Sequence, residues 1–181
     1  MKKSRSFIPF LRHISFFALL VTAPLLTLAQ STEEAAKNRN VIGQHHEHLN
    51  RGDVKTALQN YAEDTKNHGR PVGREGLRRV LEDIYTTFPD WRMEAVETIA
   101  VGDSVVVRCM VSGTHKGIGR LPINGAMLIG VEPTGKRFEV LHIHWYTLKD
   151  GKIVDHRANR DDIGMMRQLG LVPPVPAATA R

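Results

Sequence analysis

Cysteine is nearly absent. Cys109 stands alone in 181 residues, so no internal disulfide can form, and its apolar surroundings read as a buried inert thiol rather than a nucleophile. With no cysteine near the start of the chain, lipid attachment at a processed N-terminus is excluded as well. Long hydrophobic runs are missing too: the longest, residues 14–28, is interrupted by Pro24 and falls short of the roughly 20 residues that a membrane-spanning helix needs. No glycine-rich phosphate loop, Ser-His-Asp order or paired catalytic carboxylates stand out.

The first residues are a targeting segment in form. Lys2, Lys3 and Arg5 precede the apolar run, and Thr27-Leu28-Ala29 ends in the small residue required before a cut at Gln30. Residues 1–29 are therefore expected to be a cleaved secretory signal, and the mature protein to be periplasmic or secreted. They carry four cations (Lys2, Lys3, Arg5, Arg12) and no acid, so the formal charge falls from +6 to 6 − 4 = +2 on their removal. The basicity of the whole chain is mostly that of its leader. No basic stripe interleaved with aromatics remains, and nucleic acid is not an expected partner.

Residues 30–171 suit one domain with one core, and the proline-rich stretch 172–181 reads as a disordered tail. Hydrophobic spacing predicts helices over 33–49, over 54–61 with Asp53 as cap, and over 77–88, stopped by Pro89. From Trp91 the period changes to two. Strands are predicted over 91–101, 104–116 and 126–132, then a long hairpin, 138–148 and 152–159, turning at Asp150-Gly151. Asp161 or Asp162 can cap a last short helix ahead of Gly170. Helices first and antiparallel strands second make the class α+β, here a curved antiparallel sheet packed with three N-terminal helices around a conical cavity.

Side chains alternate across a strand, so Val140, His142, His144 and Tyr146 share one face of the hairpin, and Leu141, Ile143 and Trp145 the other. Val154, His156 and Ala158 share a face on the returning strand, and His68 ends a short extended piece before the third helix. Imidazoles exchange protons near neutrality, so His144 is the first candidate base, with His68 and His156 as helpers. The spacing His142-Ile143-His144 would also let two rings meet one metal, with His68 or His156 as a third ligand, but spacing alone does not make a metal site. His45-His46-Glu47-His48 reads as a solvated helical face with one inward histidine.

The ending GKIVDHRANRDDIGMMRQLG, with the order of helices and strands, resembles the SnoaL-like polyketide cyclases, or ester cyclases, of the nuclear-transport-factor-2-like superfamily. The likeness spans about residues 38–171. It implies a cone-shaped α+β barrel, often a homodimer, that closes the ring of a small polyketide ester by intramolecular aldol condensation with no metal or organic cofactor. His144, seven residues before Gly151, matches a histidine that lines the cyclase pocket. Asn67 or His68 matches a pocket asparagine. The acid–base aspartate that follows the family's His-Arg pair is replaced by Ala158, while the aspartate three residues later is kept as Asp161. His142 and Tyr146 would complete the ligand-binding wall. The leading expectation is an exported protein that binds a small, largely apolar molecule and performs acid–base chemistry on it, which the several histidines favour; the alternative is a non-catalytic binder on the same fold, which the alanine favours.

Overall fold

The computed structural model describes residues 15–122 and 126–172, with side chains from residue 32 onward. Four helices and six strands follow in the order α1 (Ser15–Asn50), α2 (Val54–Leu58), β1 (Tyr61–Asn67), β2 (Arg70–Pro71), α3 (Gly73–Thr87), β3 (Arg92–Val101), β4 (Ser104–Thr114), β5 (Arg137–Lys149), β6 (Lys152–Arg160) and α4 (Asp162–Gln168). The strands form one sheet in the order β2-β1-β6-β5-β4-β3.

The hairpin is the organising piece. Asp150 and Gly151 both take positive φ, 50° and 71°, the geometry of a tight turn whose twist suits the flanking strands. It sets Tyr146 opposite His156, His144 opposite Ala158 and His142 opposite Arg160. On the other side of β5, β4 pairs antiparallel over its whole length, from Ser104 opposite Thr147 to Thr114 opposite Arg137. Burial along β5 alternates without a fault from Arg137 to Lys149, with Val140, His142, His144 and Tyr146 inside and Ile143 and Trp145 outside.

Sequence periodicity misreads four places. The sheet is mixed, because β1 runs parallel to β6, with an irregular register between Tyr61 and Lys66. The second helix stops at Leu58. Tyr61 begins the strand instead, its ring buried in the core. The strand expected over 126–132 does not form: Ala126 and Gly130 sit at φ 66° and 68°, turn hydrogen bonds join Ile129 to Ala126 and Val131 to Leu128, and a single bridge ties Gly119 to Ile129. Leu128 is buried in the core there, with Met127 and Val131 packed half-buried against it. Finally, a register shift between Thr147 and Leu148 turns Ile153 into the core and leaves Val154 outside it.

The first helix runs further upstream than expected. It is continuous from Ser15, so the helix predicted from 33 and the second half of the expected signal lie on one element. Residues 1–14 and the tail from 173 are outside the described residues.

α3 forms the wall that faces the sheet. Leu77, Val80, Leu81 and Ile84 recur at helical spacing on the side turned to the cavity. The helix ends at Phe88, whose backbone leaves the α region (φ −130°, ψ 84°) because the following proline excludes it. Phe88 then packs edge-to-face on Phe138 with ring centres 5.0 Å apart, and burying two such rings contributes about 1.5–3 kcal/mol each. Asp53 caps α2 by accepting from the Thr56 N–H at 3.0 Å, and Asp161 caps α4 by accepting from the Gly164 N–H at 2.7 Å.

Candidate functional site

A cavity of about 110 Å³ opens between α3 and the inner face of the sheet. One wall is apolar, made by α3, Phe88, Trp91 and Phe138 at the start of β5; the other, formed by β1, β6 and β5 from His142 to Tyr146, is polar. Asn67 lies opposite His156 on β1 and β6, and His156 lies opposite Tyr146. His142 and His144 stand on the same face of β5, with Ala158 and Arg160 beside them on β6. Strand alternation on three adjacent strands thus puts these groups on one surface.

The rings are stacked. His144 and His156 are nearly parallel, 5° apart with centres at 5.1 Å, and His144 Nδ1 lies 2.8 Å from His156 Nε2. At that distance one nitrogen carries the proton and the other accepts it. Tyr146 stacks on His156 at 4.8 Å, and His142 on His144 at 5.6 Å. Behind this layer the Tyr146 hydroxyl meets His46 Nε2 at 2.9 Å, while the Tyr61 hydroxyl meets His45 Nε2 at 3.3 Å. His45 Nδ1 is 3.3 Å from the Ala57 carbonyl.

Burial keeps this cluster neutral. His144 is lowered well below the ordinary histidine range, first by desolvation and then by neighbouring His156 and His142. Desolvation also pushes His156 down to about 3, with His68, His46 and Arg160 adding to it and Asp155 opposing. His142 is held at about 4 by desolvation and by Arg160, against a raising effect of Asp161. Tyr146 is raised well above the usual phenol value, chiefly by burial. The physical rule is one: a low-dielectric site disfavours whichever form is charged.

Of the residues singled out in the sequence, Asn67, His68, His142, His144, Tyr146, His156 and Ala158 all line this cavity. His68 is exposed at its mouth, in a turn at φ 53° fixed by its N–H donating to the His156 carbonyl at 2.8 Å. Asp161 is not among the lining residues; its carboxylate is engaged at the start of α4. Among the described residues no three His, Cys, Asp or Glu side chains gather as a metal-ligand set.

Sequence reasoning missed Arg160, Tyr61 and Trp91, which also line the cavity, and it counted one inward histidine on the first helix where both His45 and His46 are buried. Arg160 was within reach: parity carried on from His156 and Ala158 arrives at it. His46 was not, because its burial depends on where Tyr146 ends, which no local pattern reveals.

The description of SnoaL-like polyketide cyclases as a family matches residues 39–169 of this chain. Nogalonic acid methyl ester cyclase of Streptomyces nogalater is 33% identical over 107 residues, covering 59% of this chain and 73% of that one. Aklanonic acid methyl ester cyclase DnrD of Streptomyces peucetius is 34% identical over 92 residues, 51% of this chain and 57% of the relative. Among solved structures, wild-type IdmH of Streptomyces antibioticus superposes with a TM-score of 0.61 at 30% identity, covering 74% of this chain and 98% of that one.

Proposed function

The chain belongs to the SnoaL-like polyketide cyclase family, and we propose that it is an exported member that performs cofactor-free acid–base chemistry on a small, largely apolar molecule. The observation that carries this reading is the His144–His156 pair at 2.8 Å on the cavity wall, with His144 Nε2 buried and without a hydrogen-bond partner among the described residues. When His144 donates from Nδ1 to His156, its Nε2 is the bare acceptor, held in one tautomer as a general base requires. His156 is the positioning partner, and His68 and Arg160 at the mouth are placed to steady an oxygen of the substrate.

The family's acid–base aspartate is Ala158 here, directly across the strand pair from His144. The imidazole pair therefore stands next to the vacated position and offers a base where the methyl group cannot. The same alanine supports a second reading, a binder that keeps the cavity and has lost the chemistry. Small-molecule binding is common to both.

His144→Gln separates them, because it keeps size and some hydrogen bonding but removes the base. Deuterium exchange at the α-carbon of an activated ester should fall by about 10²–10⁴-fold in the variant with the fold intact. Equal exchange by the two proteins would leave the binder. Ala158→Asp is the complementary change: it returns a carboxylate beside His144 and should raise exchange if the surrounding cavity still serves the family's reaction.

A further inference from the structure

We infer that the molecule this cavity takes is a compact, neutral, one-ring compound with oxygen atoms along one edge, rather than a multi-ring polyketide. The inference rests on the cavity being the working site, as argued above, and adds the size and polarity of what enters it.

Size comes first. Pockets for drug-sized ligands run to roughly 300–1,000 Å³, and an apolar cavity of about 150 Å³ holds benzene. The cavity here is about 110 Å³, on the scale of one ring. Its limits are firm. Phe88 and Phe138 brace each other edge-to-face at 5.0 Å and both are buried, and Trp91 is held against Tyr85 at 5.9 Å. Enlarging the space would mean displacing interlocked rings, and packed interiors resist that.

Polarity comes from three orphaned atoms. His144 Nε2, His142 Nδ1 and Asn67 Oδ1 are buried with no hydrogen-bond partner among the described residues, and all three residues belong to the sheet wall of the cavity. Buried polar groups left unpaired cost about 1–3 kcal/mol each, so a ligand that meets them is strongly selected. Asn67 Oδ1 and the bare His144 Nε2 can only accept, which asks for a hydroxyl or enol on the ligand, while His142 Nδ1 can meet either a carbonyl or a hydroxyl according to its tautomer. The opposite wall offers only hydrocarbon from Leu77, Val80, Leu81 and Ile84. A carboxylate has little to hold it: Arg160 is the single Lys or Arg among the lining residues, and Asp162 already engages its guanidinium at 3.4 Å.

The chain has two tryptophans, one in the cavity wall and one exposed on the outer face of the sheet. Trp145→Phe therefore leaves Trp91 as the sole reporter. In that background the full chain is titrated with methyl salicylate and with 1-hydroxyanthraquinone, both of which carry a hydroxyl and a carbonyl on one edge, following Trp91 fluorescence and heat of binding. The one-ring ester should quench Trp91 saturably and bind at least about tenfold tighter than the anthraquinone. Leu81→Ala, which trims the α3 wall, should narrow that gap by about tenfold. Tighter or equal binding of the anthraquinone overturns the inference, and so does failure of both probes to reach Trp91. His144→Gln removes the base and one of the three orphaned acceptors, so it should weaken both probes while keeping the order of their affinities; its loss of exchange activity concerns the catalytic reading, and a wrong size preference in the His144 background concerns this one.

Discussion

Lowering the pH should weaken this fold well before its carboxylates titrate. His46 and His142 are buried and held at about 4 by loss of hydration, whereas in an unfolded chain each returns to about 6.5. The folded value is the lower one, so the unfolded state takes up protons first. The stabilisation is complete above about pH 6.5 and is lost as the pH falls toward 4. At about pH 5 each histidine has forfeited 6.5 − 5 = 1.5 pH units at about 1.36 kcal/mol per unit, or about 2 kcal/mol, and the two together about 4 kcal/mol. His156, His144 and His45 are lowered in the same direction and add to the loss. Asp53, Asp90 and Glu75, whose folded values are depressed, lose their contribution only below about pH 4.5, outside this window. Against a total stability of about 5–15 kcal/mol, the effect is large. Urea midpoints between about pH 7.5 and about pH 5 should fall steeply at constant slope m, and His46→Gln should make the decline shallower by about 1.4 kcal/mol per pH unit. A midpoint that does not move between those pH values refutes the reasoning, since neutral buried imidazoles then cannot be what the core contains.

Asp161→Ala should cost about 1 kcal/mol through loss of the α4 cap, read as a lower urea midpoint, with exchange activity kept; lost activity at unchanged stability would make the carboxylate a participant instead. The row formed by Ile143 and Trp145, 44% and 52% exposed, is apolar surface on the outer sheet face, and a homodimer is expected to cover it. Light scattering at micromolar concentration should give twice the mature mass, and Trp145→Asp should halve it; a monomeric native chain counts against this. N-terminal sequencing of periplasmic protein should begin at Gln30, and recovery of only the full-length chain would reject export.

The inner face of β5 was legible because it needs only alternation and a turn: Asp150-Gly151 fixes the register, and every second residue from Val140 to Tyr146 follows inward. The same simplicity explains the failure at 126–132. Apolar residues there look like a strand, but Ala126 and Gly130 at positive φ break the extended backbone, and only Leu128 is buried. The parallel pairing of β1 with β6 joins residues some ninety positions apart, beyond any local signal. The bulge at Val154, between the pairs Thr147–Asp155 and Leu148–Ile153, likewise answers to the curvature of the sheet rather than to a motif. What chemistry could be anticipated followed the same division. Residues on β5 and β6 were found by parity, while the α1 histidines behind them depended on hydroxyls from Tyr146, which meets His46, and from Tyr61, which meets His45.

Neutrality also limits what the site can do. An imidazole held well below its ordinary range is a weak base, and a proton left on it in a dry cavity would be costly. A single buried histidine would therefore be a poor replacement for a carboxylate. Two in contact are different: as His144 Nε2 takes a proton, the one on Nδ1 can shift toward His156 Nε2 across 2.8 Å, so the new charge is spread over a pair rather than confined to one ring. The backbone of His156 is in turn tied to that of His68, whose main-chain N–H donates to the His156 carbonyl and whose side chain is exposed. The substrate that suits such a relay is one with an acidified carbon beside a carbonyl, because the driving force must come from the substrate when the base is weak.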